Sequence, residues 1–347
     1  MSAEPVIKNE LRLLFLCIGL GILGLGAYAA SKFTPGKLIV WITSIGILGS
    51  LAALILLAIR LKRFWQILAA AGMALASIIV ATYLLLFLFV HFFQDAVANQ
   101  TNSFFQPKTV SAETEEALIS PGVKALDLIT PDGTHLRGWM VRNSTESQTP
   151  LVIYFGGSGS ESSEMIPFAK NLKGWSMALV NYRGFGLSEG TPTQSIVLAD
   201  SLLIYDSLAA GTDIDVEHIV IMGYSLGTGV AVSLSSQRSV AGTILVSPYD
   251  YWTLIGAKQT PLYAPLSGFM KHYFNSISLA PEIKDPMLCL IGSNDTSVPP
   301  NLSRRLAGAW GGETNVIEYP GEDHGLLFHD NKSWTDIADF LQMVNAK

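Results

Sequence analysis

Gly223-Tyr224-Ser225-Leu226-Gly227 lies between an apolar run, His218 to Met222, and a run of helical composition, Thr228 to Leu234. Strand, pentapeptide and helix in that order match the G-x-S-x-G elbow, in which a serine stands at the apex of a sharp strand-to-helix turn. At so tight a turn, a side chain two positions either side of the serine would collide with its neighbours, which accounts for Gly223 and Gly227. The letters alone say little, because the chain repeats them at Gly186-Leu187-Ser188-Glu189-Gly190. That copy has no apolar run leading directly into it, and Thr191-Pro192 rather than a helix follows it. Context selects Ser225.

Outward from the elbow, the 347 residues suffice for one large domain and an appendage. Charge divides the chain. Residues 1–95 carry seven basic and three acidic groups, whereas the remaining 252 carry fifteen basic and twenty-five acidic. An acidic domain argues against nucleic acid as a partner, since phosphate binding needs clustered Lys and Arg. In the basic part three uncharged apolar runs follow one another: Leu13–Ser31, Leu38–Ile59 and Phe64–Val90, of 19, 22 and 27 residues. Each reaches the roughly 20 residues that a helix needs to cross a bilayer. The expectation is a transmembrane region over 1–95, with helices at about 13–31, 38–59 and 64–92.

Positive-inside counting places Lys8, Arg12, Arg60, Lys62 and Arg63 on the cytoplasmic side, against Lys32 and Lys37 outside. Three crossings then leave everything after about Phe93 extracytoplasmic, periplasmic or lumenal. Lys8, Arg12, the first apolar run and Ala27-Tyr28-Ala29 also resemble a cleavable signal peptide, and cleavage would not change that sidedness. Gly19-x-Gly21-x-x-Gly24 spells the dinucleotide fingerprint, but inside a membrane run without a βαβ unit it carries no nucleotide expectation. The two cysteines, Cys17 and Cys289, fall in an apolar helix and a strand, so no disulfide between them is expected.

Residues 96–122 are polar and read as a linker or surface-covering arm. The catalytic domain then runs over 123–347. Val123–Thr130 and His135–Arg142 alternate around the turn Pro131-Asp132-Gly133, a β-hairpin. Strands at Leu151–Phe155, Met177–Asn181, His218–Met222, Thr243–Val246, Met287–Ile291 and Val316–Tyr319 follow. Helices at Ser163–Leu172, Thr193–Leu208, after Ser225, Leu302–Trp310 and Trp334–Val344 come between or after them. This alternation predicts an α/β fold, a mostly parallel doubly wound sheet with reactive groups outside the carboxyl ends of its strands.

A serine hydroxyl becomes a useful nucleophile when a neutral imidazole takes its proton and a carboxylate holds that imidazole in the right tautomer. Of six histidines, His324 lies in the loop Gly321-Glu322-Asp323-His324-Gly325 between the last strand and last helix, where an imidazole can reach over Ser225. For the carboxylate, Leu290 to Asp295 ends a strand on Asp295, which is preferred to Asp250 after the preceding strand. The order Ser…Asp…His is the one this elbow requires. Two N–H groups are needed for the oxyanion: Leu226, at a helix N-terminus, and Ser158 in the glycine-rich loop Gly156-Gly157-Ser158-Gly159-Ser160. Gly156, Gly157 and Tyr224 are expected to line the binding site.

These residues resemble the α/β-hydrolase superfamily over about 123–345. They resemble more narrowly its serine-aminopeptidase-like branch, which also holds monoacylglycerol lipases, lysophospholipases and protein-acyl thioesterases. The resemblance rests on Tyr154–Gly159, Asn181–Gly190 beginning Asn-Tyr-Arg-Gly, Gly223–Gly227, and the Asp295 and His324 loops. It implies an α/β-hydrolase fold, and the Asn-Tyr-Arg-Gly run explains the Ser188 glycines as a structural turn. The chain departs from the family at Gly156-Gly157, where His-Gly is usual, and this bears on the oxyanion geometry.

Between the sixth and seventh strands, Asp250 to Asp285 form a short cap rich in Tyr251, Trp252, Leu254, Tyr263, Phe269, Tyr273 and Phe274. These aromatics wall an apolar pocket or pin the insertion to the core. The leading expectation is a membrane-anchored serine hydrolase acting on an ester, thioester or amide, with an acyl or lipid-type substrate and no metal or organic cofactor. The competing readings are a serine-aminopeptidase-type peptidase and a non-catalytic membrane assembly or binding protein that kept the fold.

Overall fold

The computed structural model describes residues 64–98, 105–170, 172–251 and 274–346. The first two apolar runs, Cys17, and most of the cap with Trp252, Leu254, Tyr263, Phe269 and Tyr273 lie outside the described residues. The chain divides at Phe93 into two units.

Helix α1 spans Phe64–Ala98, and its stretch Leu68–Leu88 is long and apolar enough to cross a membrane. Twenty-one residues at 1.5 Å each reach about 32 Å, the thickness of a hydrocarbon core. Its aliphatic surface has little protein cover: Leu75 is 60% and Val80 66% exposed. The hydroxyls of Ser77 and Thr82 donate to carbonyls four residues back, so these polar groups are satisfied inside the helix. The chain therefore has one described helix of anchor type.

The second unit is an eight-stranded mixed sheet. Its strands are β1 Val123–Ile129, β2 His135–Val141, β3 Thr149–Phe155, β4 Ser176–Val180, β5 Ile214–Tyr224, β6 Gly242–Val246, β7 Met287–Gly292 and β8 Thr314–Tyr319. They lie in the order β1-β2-β4-β3-β5-β6-β7-β8. From β4 to β8 every pairing is parallel, whereas β2 meets both β1 and β4 antiparallel. The sheet is thus mostly parallel, as expected, and mixed at the edge where the expected hairpin β1–β2 joins it. Strands joined by a turn as tight as Pro131-Asp132-Gly133 can only run antiparallel.

The inner stretches of the central strands, such as Leu151–Phe155 and Ile219–Met222, are near-continuous apolar runs because both faces are covered. Leu151, Ile153 and Phe155 of β3 enter one core with Ile219 and Ile221 of β5, while Val152, Tyr154, Val220 and Met222 enter the other. Helices α4 Gln194–Ala209, α5 Leu226–Ser235 and α6 Pro300–Ala309 cover the first face. Residues Met165 to Ala169, including α3 Ile166–Ala169, and the last helix, α7 Asn331–Asn345, cover the second. The expected helix Ser163–Leu172 is shorter than its composition implied, a 3-10 turn Ser162–Met165 leading into α3, with Pro167 in the first turn.

From Phe105 onward, the polar stretch before the sheet lies on this unit. Phe105 is 4% exposed in the first core, and α2, Ala112–Leu118, is capped by the Ser111 hydroxyl. Glu115 of α2 is buried and receives two hydrogen bonds from Arg137. Chain order reverses about β3, with β4 on one side and β5 on the other. In open α/β sheets such a switch point opens a crevice at the carboxyl ends of the strands.

Candidate active site

Ser225 follows β5 at that crevice with φ 51° and ψ −119°, a left-handed backbone that a non-glycine residue holds only under constraint from its surroundings. The constraints are visible. Ser225 N–H donates to the Val246 carbonyl at 3.0 Å, and its own carbonyl accepts the Thr228 hydroxyl and N–H. A Cβ on Gly223 would come within 2.5 Å of the Gly227 carbonyl oxygen, and one on Gly227 would run into the carbonyls of Phe155 and Gly156. The two glycines are required by the approach of backbone to backbone.

β7 and β8 pair in parallel with Gly292 opposite Tyr319, so the loops after them leave the sheet side by side. A Cβ on Gly292 would meet the Asp323 and Glu322 carbonyls, and its absence lets the loops zip together. Asn294 N–H donates to Glu322 O at 2.8 Å and Gly321 N–H to the Ser293 hydroxyl at 2.8 Å. Asp295 is thereby set beside His324.

One oxygen of Asp295, Oδ1, accepts the N–H groups of Ser297 and Val298 at 2.9 and 2.7 Å. The other, Oδ2, lies 2.7 Å from His324 Nδ1. A carboxylate only accepts, so Nδ1 carries a proton, and in the neutral ring Nε2 is then the acceptor. Ser225 Oγ lies 2.8 Å from Nε2 and donates to it. The Asp295 side chain is 2% exposed and that of His324 23%. The carboxylate is sealed from water while the imidazole edge stays accessible. Tyr224 reaches past the serine to donate its hydroxyl to the His324 carbonyl at 2.9 Å. Burial, with Asp295 and Asp323 nearby, pushes that phenol above its usual range and keeps it a donor.

The other acids go elsewhere. Asp250 is fully buried, pairs with Arg305 and accepts Tyr251 N–H. Asp323 is exposed and accepts Gly325 N–H, and His329 stands beside Glu322 and Asp323.

The loop after β3 emerges next to the elbow, with Phe155 opposite Gly223. Gly157 lies against the Tyr224 ring, where a Cβ would sit 3.3 Å away. Leu226 is buried at the first position of α5, whose N-terminal N–H groups have no intrahelical acceptor. Neither its N–H nor that of Ser158 has a protein acceptor among the described residues. Sequence reasoning did not assign a role to Tyr182, whose hydroxyl donates to the Gly156 carbonyl at 2.9 Å. The Asn-Tyr-Arg-Gly motif marked the residue but not this contact. A cavity of about 350 Å³ lined by Leu198, Gly229, Ser233, Phe274 and Leu279 lies along α5, and none of its lining residues belongs to the Ser225–His324–Asp295 relay.

A serine on a strained strand-to-helix turn, joined through histidine to a buried carboxylate after a later strand, defines the α/β-hydrolase class. Comparison with known proteins agrees. Residues 188–343 match the dienelactone hydrolase family model. An uncharacterized protein of Mycobacterium tuberculosis is 30% identical over 208 residues, 59% of this chain and 74% of that protein. The alpha/beta hydrolase domain-containing protein WAV2 of Arabidopsis thaliana is 28% identical over 220 residues, 57% of this chain and 70% of its own. An esterase of Pyrococcus furiosus shares the fold at TM-score 0.55 and 19% identity, covering 70% of this chain and 98% of that one. This chain belongs to the α/β-hydrolase superfamily.

Proposed function

We propose that the protein is a membrane-anchored serine hydrolase that cleaves acyl esters through a covalent acyl-enzyme, with Ser225, His324 and Asp295 as its catalytic residues. The observation that carries this reading is the unbroken relay of 2.8 and 2.7 Å from Ser225 Oγ through the imidazole to Asp295. Ser225 Oγ attacks the ester carbonyl carbon as its proton passes to His324 Nε2. The resulting oxyanion is held by the N–H groups of Leu226 and Ser158. Collapse breaks the bond to the leaving alcohol, which takes the proton from Nε2. Water then gives a proton back to Nε2 as its oxygen attacks the acyl carbon, and the acid departs with Ser225 reprotonated. Asp295 keeps the imidazole oriented throughout and stabilises the imidazolium.

The motifs shared with the serine-aminopeptidase-like branch and the anchor-type helix α1 favour a lipid or acylated substrate, since attachment to a bilayer raises the local concentration of such molecules. The division into a membrane region over 1–95, an arm over 96–122 and a catalytic domain over 123–347 belongs to the same proposal. So do three crossings and an extracytoplasmic site. Fluorophosphonate labelling of membranes carrying the full chain tests the chemistry. Labelling is expected for the native chain and Ser188→Ala and absent for Ser225→Ala, whereas equal labelling of all three ends the proposal. Protease accessibility in intact vesicles tests sidedness separately.

A further inference from the structure

Three consecutive carbonyls in the loop after β3 each have a partner. Gly156 C=O accepts the Tyr182 hydroxyl at 2.9 Å. Gly157 C=O accepts Ser160 N–H at 3.3 Å, and Ser158 C=O accepts Gln106 N–H at 2.7 Å. The Ser158 N–H shares its rigid peptide plane with the Gly157 carbonyl, so it belongs to the middle unit of the three. With both flanking planes held and its own carbonyl bonded, the direction of that N–H is fixed. The loop has glycine at 156, 157 and 159, and such backbone samples many conformations unless something outside holds it.

Two of the three partners come from outside the loop. Tyr182 is itself held in place, stacked on Phe155 with centroids 6.5 Å apart and meeting Phe105 edge-on at 6.1 Å. Gln106 follows the buried Phe105, and its side chain covers Gly159, where a Cβ would lie 3.6 Å from Oε1. The arm is stitched further along, with Gly186 N–H donating to Lys108 O at 2.8 Å and Val110 N–H to Gly186 O at 3.4 Å.

We propose that Gln106 and Tyr182 are positioning residues that aim the Ser158 N–H at the substrate oxyanion, which makes the arm from Phe105 to Val110 part of the catalytic apparatus. This rests on the reading of Ser158 as an oxyanion donor given above. Loss of one such donor costs about 10²–10³ in kcat. A donor present but misaimed is expected to cost about tenfold or more, because catalysis depends on hydrogen bonds pre-aimed at the transition state.

The test uses the full chain in detergent micelles, with p-nitrophenyl butyrate as substrate and an alkylboronic acid as a mimic of the tetrahedral intermediate. Gln106→Pro removes the N–H, Gln106→Ala keeps it, and Tyr182→Phe removes the hydroxyl without touching the arm backbone. In Gln106→Pro and Tyr182→Phe, kcat is expected to fall about tenfold or more with KM within about twofold. Boronate affinity should weaken by the same factor, since a transition-state mimic tracks kcat. Gln106→Ala should recover most of the rate. Wild-type kcat and boronate affinity in both Gln106→Pro and Tyr182→Phe would overturn the assignment. So would a joint fall of kcat and melting temperature with boronate affinity unchanged, the mark of a merely structural role. A native chain that neither hydrolyses the ester nor takes up fluorophosphonate defeats the serine-hydrolase reading itself, before any variant is compared.

Discussion

Residues 186–190 and 223–227 spell the same pattern, and the structure gives their serines opposite situations. The Ser188 hydroxyl donates to the Asn181 carbonyl at 3.0 Å and accepts Arg137 N–H at 2.8 Å, so it serves as a brace between two backbone segments. Ser225 Oγ bonds to an imidazole nitrogen instead. The glycines differ as well. Gly186 and Gly190 have φ of 55° and 78°, and a Cβ on Gly186 would also lie 2.2 Å from the Asn181 side-chain amide, whereas Gly223 and Gly227 have no positive φ and are needed only for the approach of backbone to backbone. The supports also differ in kind. The Ser188 turn is carried by charge: Arg183 bonds Asp200 through Nε and Nη2 and Asp132 through Nη1. The elbow is held by backbone packing. What separates the two hydroxyls is the partner each meets, an imidazole at Ser225 and backbone at Ser188, and the letters around them do not decide this.

The largest expected effect separates the two serines. Ser225→Ala should lower kcat by about 10⁴–10⁶ in an ester-hydrolysis assay, the scale set by loss of a triad nucleophile. Ser188→Ala should leave kcat within about threefold. A loss of similar size in Ser188→Ala would break the comparison.

Next in size is the acid. Asp295→Asn should cut kcat by about 10⁴, because the amide forces the wrong imidazole tautomer. Asp250→Asn, which touches Arg305 and the Tyr251 N–H, should cost less than tenfold. Reversal of that ranking would move the carboxylate to the strand before.

Ser188→Ala is expected to act on stability. It leaves the part-buried Arg137 N–H without its acceptor, a loss of about 1 kcal/mol. At roughly 2–4 °C per kcal/mol for a domain of this size, thermal unfolding reads that directly. An unchanged midpoint would show that the brace contributes nothing.

The smallest effect concerns pH. Hydrogen bonds from Arg183, then Thr130 and Thr134, hold the Asp132 carboxyl below the usual carboxylate range. Its contribution is therefore present above the unfolded-state pKa of about 4 and is lost as pH falls toward the lowered folded value. On acidification, amide exchange over 183–190 should rise before that over 223–230, and Arg183→Gln should remove the difference. Simultaneous loss of protection at both places would count against a charge-carried turn.

What the chain shows on inspection follows from how locally each feature is determined. Val123–Thr130 and His135–Arg142 were legible as a hairpin because alternation and Pro131-Asp132-Gly133 lie within twenty residues, and they appear as β1 and β2. β5 was foreseen only as His218–Met222 although it begins at Ile214. Its first half carries Asp215 and Glu217 and lacks the apolar run that marked the rest. The helix over Ala112–Leu118 was hidden by a polar composition that matches a linker, since its one buried residue is Glu115. The apposition of Ser225, His324 and Asp295 was readable as a set because each follows a strand end. The preference for Asp295 over Asp250 came from the strand end alone, and its physical basis, the Gly292 contact with the 322–323 backbone, is a property of two loops together. The Gln106 and Tyr182 contacts on the oxyanion loop join residues far apart in sequence, and no local pattern encodes them.

The most direct test of the central claim is to react the full chain with an organophosphate, digest it, and locate the adduct by peptide mass spectrometry. A single modified site at Ser225, lost when His324 is changed to Ala, is the predicted result. An adduct at Ser188 or at no serine, or one at Ser225 that forms equally fast without His324, would contradict it.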